Sequence, residues 1–516
     1  MQHAITLDGD SLNVNRLWEA ARVAALPSGT IAIDIDSSAK KRISSAENFL
    51  HNLATSGDTV YGVNTGFGFF ARTRISPKDI AKLQENIIIS HSVGVGELLP
   101  RDLVMGMWLI MLNSICRGHR GVSGERVEQI LKALNTGMLA HVPARGSVGA
   151  SGDLAPMSHA VLALLGQGKC SIREGDGFKD LPANEALEKY NLQPLKLGPK
   201  EGLALINGTQ LTSAMACKLI WEAQRLVETA NLTAALMIEA MRASHAFLAP
   251  ILMKEQRHAG AATCAEAVRN WLQGKTEISQ SHADCDRVQD PYSLRCIPQV
   301  HGMVWEELEN CRQTMDLEIN ATTDNPILFP EEERVIHGGN FHAIYAARVC
   351  DRIGAGLATL ANISERRIHM SMKQDKSGLP NFLIAEEGGL NSGFMMTQTT
   401  AAALVSECKA LSFPASVDSI STNNDQEDHV SMGPVAGLKA LKILENARYV
   451  LAIELLSAMQ GLDLLAPLKT SPRLEAVKAT LRAEIPMLKA DRFLGEDLEK
   501  AAQIIADGRL LKCGVE

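Results

Sequence analysis

The chain has 516 residues, of which 46% are apolar and 21% charged, and its formal net charge at pH 7 is −8. This composition is typical of a soluble globular chain and excludes a disordered or fibrous one, and the length predicts two or more lobes or one elongated architecture. The acidic balance, with scattered lysines and arginines, offers no basic field to a phosphate backbone and argues against nucleic acid as a partner.

The N-terminal half is predicted to carry a small mixed lobe. Residues 1 to about 60 mix short apolar runs with turn signals, which predicts an α+β lobe. The stretch 61–97 is loop-rich, with the glycine clusters "YGVNTGFG" and "SHSVGVG" beside polar groups. Loops of this kind hold sites more often than they hold folds.

Long helices are predicted from about residue 210 onward. The Ala-rich stretch from Leu211 to Leu248 has helical apolar spacing and no glycine or proline, which predicts one helix or two nearly continuous ones, on the order of 50 Å long. A second long helix is predicted from Leu438 toward Leu465, ending at Pro467. We therefore expect a mainly α fold.

The domain organisation follows from this change of character. A small N-terminal α+β lobe is expected at residues 1–205 and a long-helix bundle at residues 206–516.

The ten cysteines show neither Cys-x-x-Cys pairs nor framework spacing, which is typical of buried thiols in a reducing compartment. With no export signal and no apolar run of about 18 residues, the sequence predicts a cytoplasmic protein without membrane association.

The common catalytic signatures are absent from the sequence. There is no phosphate-binding Gly-x-x-x-x-Gly-Lys-Ser/Thr and no His-Glu-x-x-His, and Ser151 does not stand in a Gly-x-Ser-x-Gly elbow. His337 and His342 in "HGGNFH" match no strong metal motif, so we expect no metal. Phosphate transfer, zinc hydrolysis and serine hydrolysis are all disfavoured.

The strongest local signal is the segment "RGSVGASGDLAP". Gly146, Gly149 and Gly152 give its backbone access to positive φ and leave no Cβ in the way of a close approach. Turn chemistry accounts for each of the other polar loops taken singly. Together these loops repeat a tyrosine, an amide, an arginine and a carboxylate, which could converge on one pocket.

The set of motifs resembles the aromatic amino acid ammonia-lyases. The motifs occur in the order "YGVNTGFG", "GSVGASGDLAPMSH", "INGTQ", "QDPYSLRC", "GGNFH" and "QEDHVSM", and the resemblance extends from about Tyr61 to about Leu465. It implies the helical architecture of the ammonia-lyase/fumarase-like superfamily. It also implies that Ala150, Ser151 and Gly152 cyclise and lose water to give 4-methylideneimidazol-5-one, with no external cofactor.

The same resemblance assigns roles to residues around this electrophile. Tyr61 would remove the β-proton of the substrate as a phenolate, which requires its environment to lower its pKa from about 10. Tyr292 would hydrogen-bond near the electrophile or the amine. Arg295 would hold the substrate carboxylate in a two-pronged geometry that lysine cannot reproduce.

Further pocket residues follow from the resemblance. Asn207 would polarise the carbonyl of the prosthetic group, Gln289 and Gln299 would line the pocket, and Phe341 would shield the electrophile. The resemblance also implies a homotetramer whose active sites draw loops from more than one subunit, and long Ala- and Leu-rich helices are compatible with that assembly.

The choice of substrate depends mainly on two residues. His91 and Glu427 match positions where histidine-specific members carry these residues, and a buried site built to pair an imidazole disfavours a phenyl ring. We expect elimination of ammonia from L-histidine to give trans-urocanate, the first step of histidine degradation. Ile344, Cys408 and Phe413 depart from the histidine-specific pattern, as does "STNNDQEDH".

These departures leave alternatives open. Within the family they are a tyrosine or phenylalanine ammonia-lyase and an aromatic aminomutase. The alternative from a different class is a non-catalytic helical scaffold that retains the fold but not the electrophile.

Overall fold

The computed structural model describes residues 2–55, 60–70 and 72–514. The chain forms two compact units. The first unit consists of Met1–Lys218, Arg312–Asp351 and Pro414–Leu438, and the second of Leu219–Cys311, Arg352–Phe413 and Lys439–Glu516.

These units differ from the division predicted at residue 205. The first unit takes in two later segments, 312–351 and 414–438, which pack with the N-terminal part of the chain. Composition changes along the sequence and therefore marks where helices become long, but it does not show which later segments return to an earlier unit. The predicted fold class is confirmed, since the described residues are mainly helical and all their strands lie in the first unit.

The strands are short and form small sheets. β1 pairs with β2 in parallel, and β3 with β5, β4 with β6, β6 with β7 and β8 with β9 pair antiparallel. The strand bounds are β1 (Gln2–Leu7), β2 (Thr30–Ile35), β3 (Val95–Leu98), β4 (Leu139–Ala140), β5 (Pro143–Arg145), β6 (Lys169–Glu174), β7 (Gly177–Pro182), β8 (Ile327–Phe329) and β9 (Arg334–Ile336).

The helices vary widely in length. In the described residues their bounds are α1 (Val14–Ala24), α2 (Ser37–Thr55), α3 (Ile80–His91), α4 (Arg101–Cys116), α5 (Gly124–Asn135), α6 (Leu154–Leu164), α7 (Ala183–Lys189), α8 (Glu201–Ile206), α9 (Gln210–Ala240), α10 (Pro250–Gln256), α11 (Ala259–Leu272), α12 (Glu277–Gln280), α13 (Tyr292–Arg295), α14 (Ile297–Glu318), α15 (Ile344–Ser371), α16 (Gln374–Ser377), α17 (Met395–Leu411), α18 (Gly433–Leu464), α19 (Pro472–Arg482) and α20 (Gly495–Asp507). Short 3-10 turns lie at Gly68–Phe70, Pro77–Asp79, Ala246–Leu248, Asn381–Leu383 and Arg509–Lys512.

The two long helices predicted from the sequence are present as α9 and α18. The end of α18 at Leu464, shortly before Pro467, confirms the predicted stop. The predicted end of α9 at Leu248 is wrong, because the helix stops at Ala240. Arg242 adopts a left-handed φ of 50°, and Ala243 N donates to Ile238 O at 2.9 Å. This is the hydrogen bond of a Schellman motif, in which arginine stands where glycine usually does, so no glycine marked the end.

The stretch 61–97 is less loop-rich than predicted. α3 follows the first glycine cluster and ends inside the second, and β3 begins at the end of the second cluster. The apolar positions Ile80, Ile87 and Ile88 are buried in α3, and this burial stabilises a helix that the neighbouring glycines obscured.

Three helices of the first unit position the loops of the site. α3, α6 and α8 contact one another pairwise. A Cβ added to Gly202 in α8 would lie 2.4 Å from Gln84 O in α3, so glycine permits this close approach. The buried Gln84 side chain donates to Gly62 O at 3.1 Å and accepts from Leu203 N at 3.2 Å. It therefore ties the loop of Tyr61 to α8.

Candidate active site

The first unit contains a cavity of about 940 Å³. It lies where α3 ends, where α6 begins and where α8 ends. The predicted site residues that line it are Tyr61, His91, Ala150, Ser151, Gly152, Asn207, Phe341 and Glu427. Motifs far apart in the sequence thus meet at one cavity, although the loop of the predicted arginine is not among the described residues that line it.

The Ala150-Ser151-Gly152 segment is held against the loop that follows α8. Gly208 N donates to Ser151 O at 3.1 Å, and Asp153 N donates to Gly208 O at 2.7 Å. Gly152 has a φ of 81°, and a Cβ added there would lie 2.0 Å from Gly208 O. Only glycine fits this position, because both the backbone conformation and the backbone contact exclude a side chain.

The other two predicted glycines are confirmed as positions with positive φ. Gly149 has a φ of 70°, and its Cβ would lie 2.2 Å from Ser431 Oγ. Gly146 has a φ of 142°, and its Cβ would lie 3.0 Å from Gly94 Cα. Close approach of neighbouring loops therefore explains the spacing of glycines around the segment.

Asp153 anchors the start of α6 beneath the segment. Its buried carboxylate accepts from Thr212 N at 2.8 Å and from Thr212 Oγ1 at 3.1 Å. Burial raises the pKa of Asp153 from its ordinary 3.8 to about 6, and the hydrogen bonds from Thr212 and from the Leu211 backbone act in the opposite direction.

The Glu427 carboxylate faces the segment. Thr422 Oγ1 donates to Glu427 Oε2 at 2.6 Å, Ser151 Oγ donates to Oε1 at 3.3 Å, and Asn423 Nδ2 approaches Oε1 at 3.4 Å. The intervening residues 423–425 have left-handed φ values of 52°, 54° and 64°, which asparagine and aspartate tolerate better than other side chains with a Cβ. The turn brings Thr422 and Glu427 together across a β-bridge.

Tyr61 lines the cavity with its phenol held by a backbone amide. Gly68 N donates to Tyr61 Oη at 3.2 Å, and His337 stands edge-on with ring centroids 5.9 Å apart. Burial raises the pKa of Tyr61 above its ordinary 10.0, the charges of Glu427 and Asp324 add to the rise, and the Gly68 hydrogen bond opposes it. The residues of this chain therefore act against the lowering that the expected role of Tyr61 requires, because desolvation and negative charge both disfavour a phenolate.

His91 is the last residue of α3, and its imidazole faces the cavity. Its Nδ1 is 3.0 Å from Ser90 Oγ. Burial lowers the pKa of His91, and the charge of Glu427 acts in the opposite direction. A neutral imidazole is thus favoured near pH 7, with one ring nitrogen able to donate and the other to accept.

Asn207 belongs to a buried polar cluster at the cavity floor. Its Nδ2 donates to Asp324 Oδ1 at 3.0 Å and to Asn325 O at 3.1 Å, while Lys200 Nζ donates to Asp324 Oδ2 at 2.6 Å. Among the described residues Asn207 Oδ1 has no hydrogen-bond partner. The amide nitrogen is already engaged, and the neighbouring Gly208 N–H, not this side chain, reaches Ser151 O.

Four predicted residues lie in the second unit and are not among the described residues that line the cavity. Arg295 Nε donates to Asp290 O at 2.7 Å, and its guanidinium stands 4.8 Å from the centroid of the Tyr292 ring. Tyr292 is 73% exposed, Gln289 is exposed, and Gln299 is half-buried on α14. Their roles stay predictions.

The histidines of "HGGNFH" do not form a cluster of metal ligands. His342 Nε2 lies 3.1 Å from His429 Nδ1, and the two rings stack with centroids 5.2 Å apart. In the part of the chain that the structure describes, no three His, Cys, Asp or Glu side chains are grouped to hold a metal ion.

Sequence reasoning did not single out three contributors to the site. Gly208 lies within the "INGTQ" motif, but it acts through its backbone N–H, which every residue except proline has, so the residue type does not indicate this role. Thr422 stands five residues before Glu427, and only the turn geometry reveals the contact. The buried Arg120 contacts the loop after α8, and its partners lie far away in the sequence.

Comparison with known proteins gives consistent results. The aromatic amino acid lyase family model matches residues 18–483. A histidine ammonia-lyase of Vibrio cholerae is 41% identical over 475 residues, covering 92% of each chain. The structure of histidine ammonia-lyase from Trypanosoma cruzi has a TM-score of 0.89 at 38% identity, covering 99% of this chain and 94% of that one. Tyrosine aminomutase from Streptomyces globisporus has a TM-score of 0.91 at 30% identity, covering 99% of both chains.

The mainly helical fold and a cavity built around an Ala-Ser-Gly segment define a lyase of the kind these comparisons find. The chain belongs to the aromatic amino acid lyase family, which confirms the family and the class of enzyme expected. No helix within residues 2–55, 60–70 and 72–514 has the length and apolar character needed to cross a membrane.

Proposed function

We propose that the protein eliminates ammonia from L-histidine to give trans-urocanate. The observation that carries the proposal is that His91 and Glu427 line the same cavity as the Ala150-Ser151-Gly152 segment. An imidazole substrate has one donor and one acceptor nitrogen, and these two side chains offer it complementary partners. The names of the relatives from Vibrio cholerae and Trypanosoma cruzi support the same substrate.

We propose further that Ala150, Ser151 and Gly152 form the 4-methylideneimidazol-5-one group. This group supplies an electrophile that accepts electrons which protein side chains cannot accept. The residues present fit it, since Gly152 stands where a Cβ is excluded and Gly208 N–H already donates to Ser151 O. Such a donor stabilises negative charge on that oxygen without reorganisation.

The remaining residues would bind the substrate and move one proton. Tyr61 Oη would accept the β-proton, and because its pKa is raised by burial, the reactive phenolate is scarce at neutral pH but strongly basic. Glu427 and His91 would hold the imidazole. Phe341, at the cavity wall, would keep water from the reacting atoms.

We propose that Arg295, Tyr292, Gln289 and Gln299 reach the cavity from another subunit of a homotetramer. What supports this is that they are not among the described cavity-lining residues, although Tyr292 exposes most of its ring. The Arg295 guanidinium would bind the substrate carboxylate through the nitrogens that Asp290 O does not occupy. A cytoplasmic location belongs to the same proposal, supported by ten cysteines that form no disulfide.

The decisive experiment supplies the purified protein separately with L-histidine, L-tyrosine and L-phenylalanine and follows ultraviolet absorbance. Growth of urocanate absorbance with histidine alone is the expected result. Formation of coumarate or cinnamate would identify the protein as a tyrosine or phenylalanine ammonia-lyase. No change in absorbance with any of the three amino acids would favour the aminomutase or the non-catalytic scaffold. Intact mass tests the prosthetic group independently, since ring formation removes two waters.

A further inference from the structure

Arg120 is a fully buried cation beneath the candidate active site. It is 1% exposed. Its Nε donates to Ser114 Oγ at 3.0 Å, and Nη1 donates to Ala204 O at 2.5 Å. Nη1 and Nη2 both donate to Asn207 O, at 3.1 and 3.0 Å, and Nη2 donates to Thr323 O at 3.1 Å. The guanidinium thus binds the backbone carbonyl groups of three residues, Ala204, Asn207 and Thr323.

None of these hydrogen-bond partners carries a negative charge. The carboxylate of the cluster, Asp324, is already bound by Lys200 Nζ at 2.6 Å and by Asn207 Nδ2 at 3.0 Å. Arg120 and Lys200 therefore place two cationic side chains around one buried carboxylate. The charge of Asp324 favours both cations, but two buried positive charges that share one carboxylate are not fully paired, which is costly even when carbonyl dipoles solvate them. Burial also lowers the pKa of Arg120, but a guanidinium stays protonated in proteins.

The peptide between Asn207 and Gly208 connects this charge to the segment. Its carbonyl oxygen accepts both Nη donors of Arg120, and its N–H donates to Ser151 O at 3.1 Å. Hydrogen bonds arranged in series polarise one another, so a cation on the carbonyl side strengthens the donor on the amide side. The Gly208 N–H is therefore a stronger donor than an ordinary backbone amide.

We propose that Arg120 is a positioning residue that makes the Ala150-Ser151-Gly152 segment more electrophilic through the Asn207–Gly208 peptide. The inference rests on the proposed function. The prosthetic group would supply a carbon, the former Ser151 Cβ, that accepts a nucleophile, and negative charge would then build up on Ser151 O. The polarised Gly208 N–H and the excess positive charge beneath it stabilise that oxygen.

The test compares Arg120→Gln with Arg120→Lys in the full-length protein. Three quantities are measured: the intact mass, kcat and KM for L-histidine, and the rate at which borohydride delivers hydride to the electrophile, followed by absorbance. In the Gln variant we expect a mass two waters below the sequence value and a KM within about twofold of wild type. Its kcat and hydride-addition rate should fall together by roughly tenfold, less than on losing a direct oxyanion donor. The Lys variant should bring both rates to within about threefold of wild type, because it keeps the positive charge that polarises the Asn207–Gly208 peptide, although it loses the paired guanidinium donors.

Ser114→Ala is the matched control, since it removes the Nε partner and leaves the charge and the Asn207 contact. It should lower the melting temperature by a few degrees and leave hydride addition unchanged. Unchanged rates in the Gln variant, or a Lys variant as slow as the Gln variant, would overturn the proposal and leave Arg120 with a structural role only, that of binding carbonyl groups. If the Gln variant does not fold, hydride addition to the Lys variant decides: a near-wild-type rate supports the proposal, and a tenfold loss overturns it. A wild-type mass equal to the sequence value would instead refute the prosthetic group, whatever the role of Arg120.

Discussion

Ser151 Oγ donates a hydrogen bond to Glu427 Oε1 at 3.3 Å, across 276 residues of sequence. The contact places the carboxylate beside the hydroxyl that ring formation would remove. Thr422 fixes the other carboxylate oxygen, so Glu427 has a defined orientation before any substrate enters. A preoriented acceptor of this kind selects for a substrate that donates a hydrogen bond.

Glu427→Gln should lower kcat/KM for L-histidine by about 100-fold or more, because the amide keeps the shape but loses the charge that pairs with an imidazole N–H. The change in melting temperature should stay within a few degrees, since the side chain is only half-buried. Urocanate absorbance and thermal unfolding measure the two effects. Thr422→Ala, which frees the carboxylate without removing it, should cost only about tenfold. Histidine turnover that survives Glu427→Gln would remove this residue from the site.

Gly152→Ala should prevent ring formation and destabilise the first unit. The new Cβ would lie 2.0 Å from Gly208 O at a φ of 81°, so the loop after α8 would have to move. Gly175→Ala, in the turn between β6 and β7, is the matched control, because its φ is 58° and no atom lies within 4 Å of the added Cβ. The control should cost only the backbone strain, about 1 kcal/mol. Intact mass and denaturant midpoints test both variants, and a Gly152→Ala protein two waters lighter than its sequence would contradict this account.

The residue types of the site could be predicted because the loop motifs, taken together, resemble those of a known family, although turn chemistry accounts for most of the loops taken singly. Tyr61, His91, Ser151 and Glu427 were predicted from their motifs, and they line one cavity. The end of α9 was missed because Arg242 takes the left-handed conformation that glycine normally marks.

The electrostatics of the site could not be read from the motifs. The direction of the Tyr61 pKa shift depends on burial and on the charges of Glu427 and Asp324, which are distant in sequence. Arg120 has no motif at all, since it binds carbonyl groups that any residue type would present. The backbone groups that bind Arg120 and the charges that surround Tyr61 come together only in the folded chain.

Tyr61 should ionise above pH 10. Burial and the two nearby carboxylates raise its pKa, and the single hydrogen bond from Gly68 does not compensate. The tyrosinate absorbance of the native protein is recorded after a rapid jump to alkaline pH, and the spectrum of Tyr61→Phe is subtracted. The difference isolates one phenol among the five tyrosines. A difference signal already present between about pH 7 and 9 would mean that a cation absent from the described chain offsets burial.

Asp153→Asn should remove a pH-dependent part of the stability. The folded carboxyl has a pKa of about 6 against an ordinary 3.8, so between these values the folded state binds more protons than the unfolded state. The free energy of unfolding of the wild type therefore falls as the pH rises from about 4 to about 6, by up to about 3 kcal/mol, and is level above that range. The asparagine can accept from Thr212 N and donate to Thr212 Oγ1, so it keeps both contacts with Thr212.

The variant should consequently gain stability over the wild type as the pH rises from about 4 to about 6 and hold that gain at higher pH. Urea unfolding at a series of pH values, on preparations of equal extent of ring formation by mass, measures the difference. Asp176→Asn, at an exposed position in the turn between β6 and β7, is the control and should follow the wild type throughout. Parallel pH profiles for Asp153→Asn and the wild type would show that Asp153 does not take up a proton on folding.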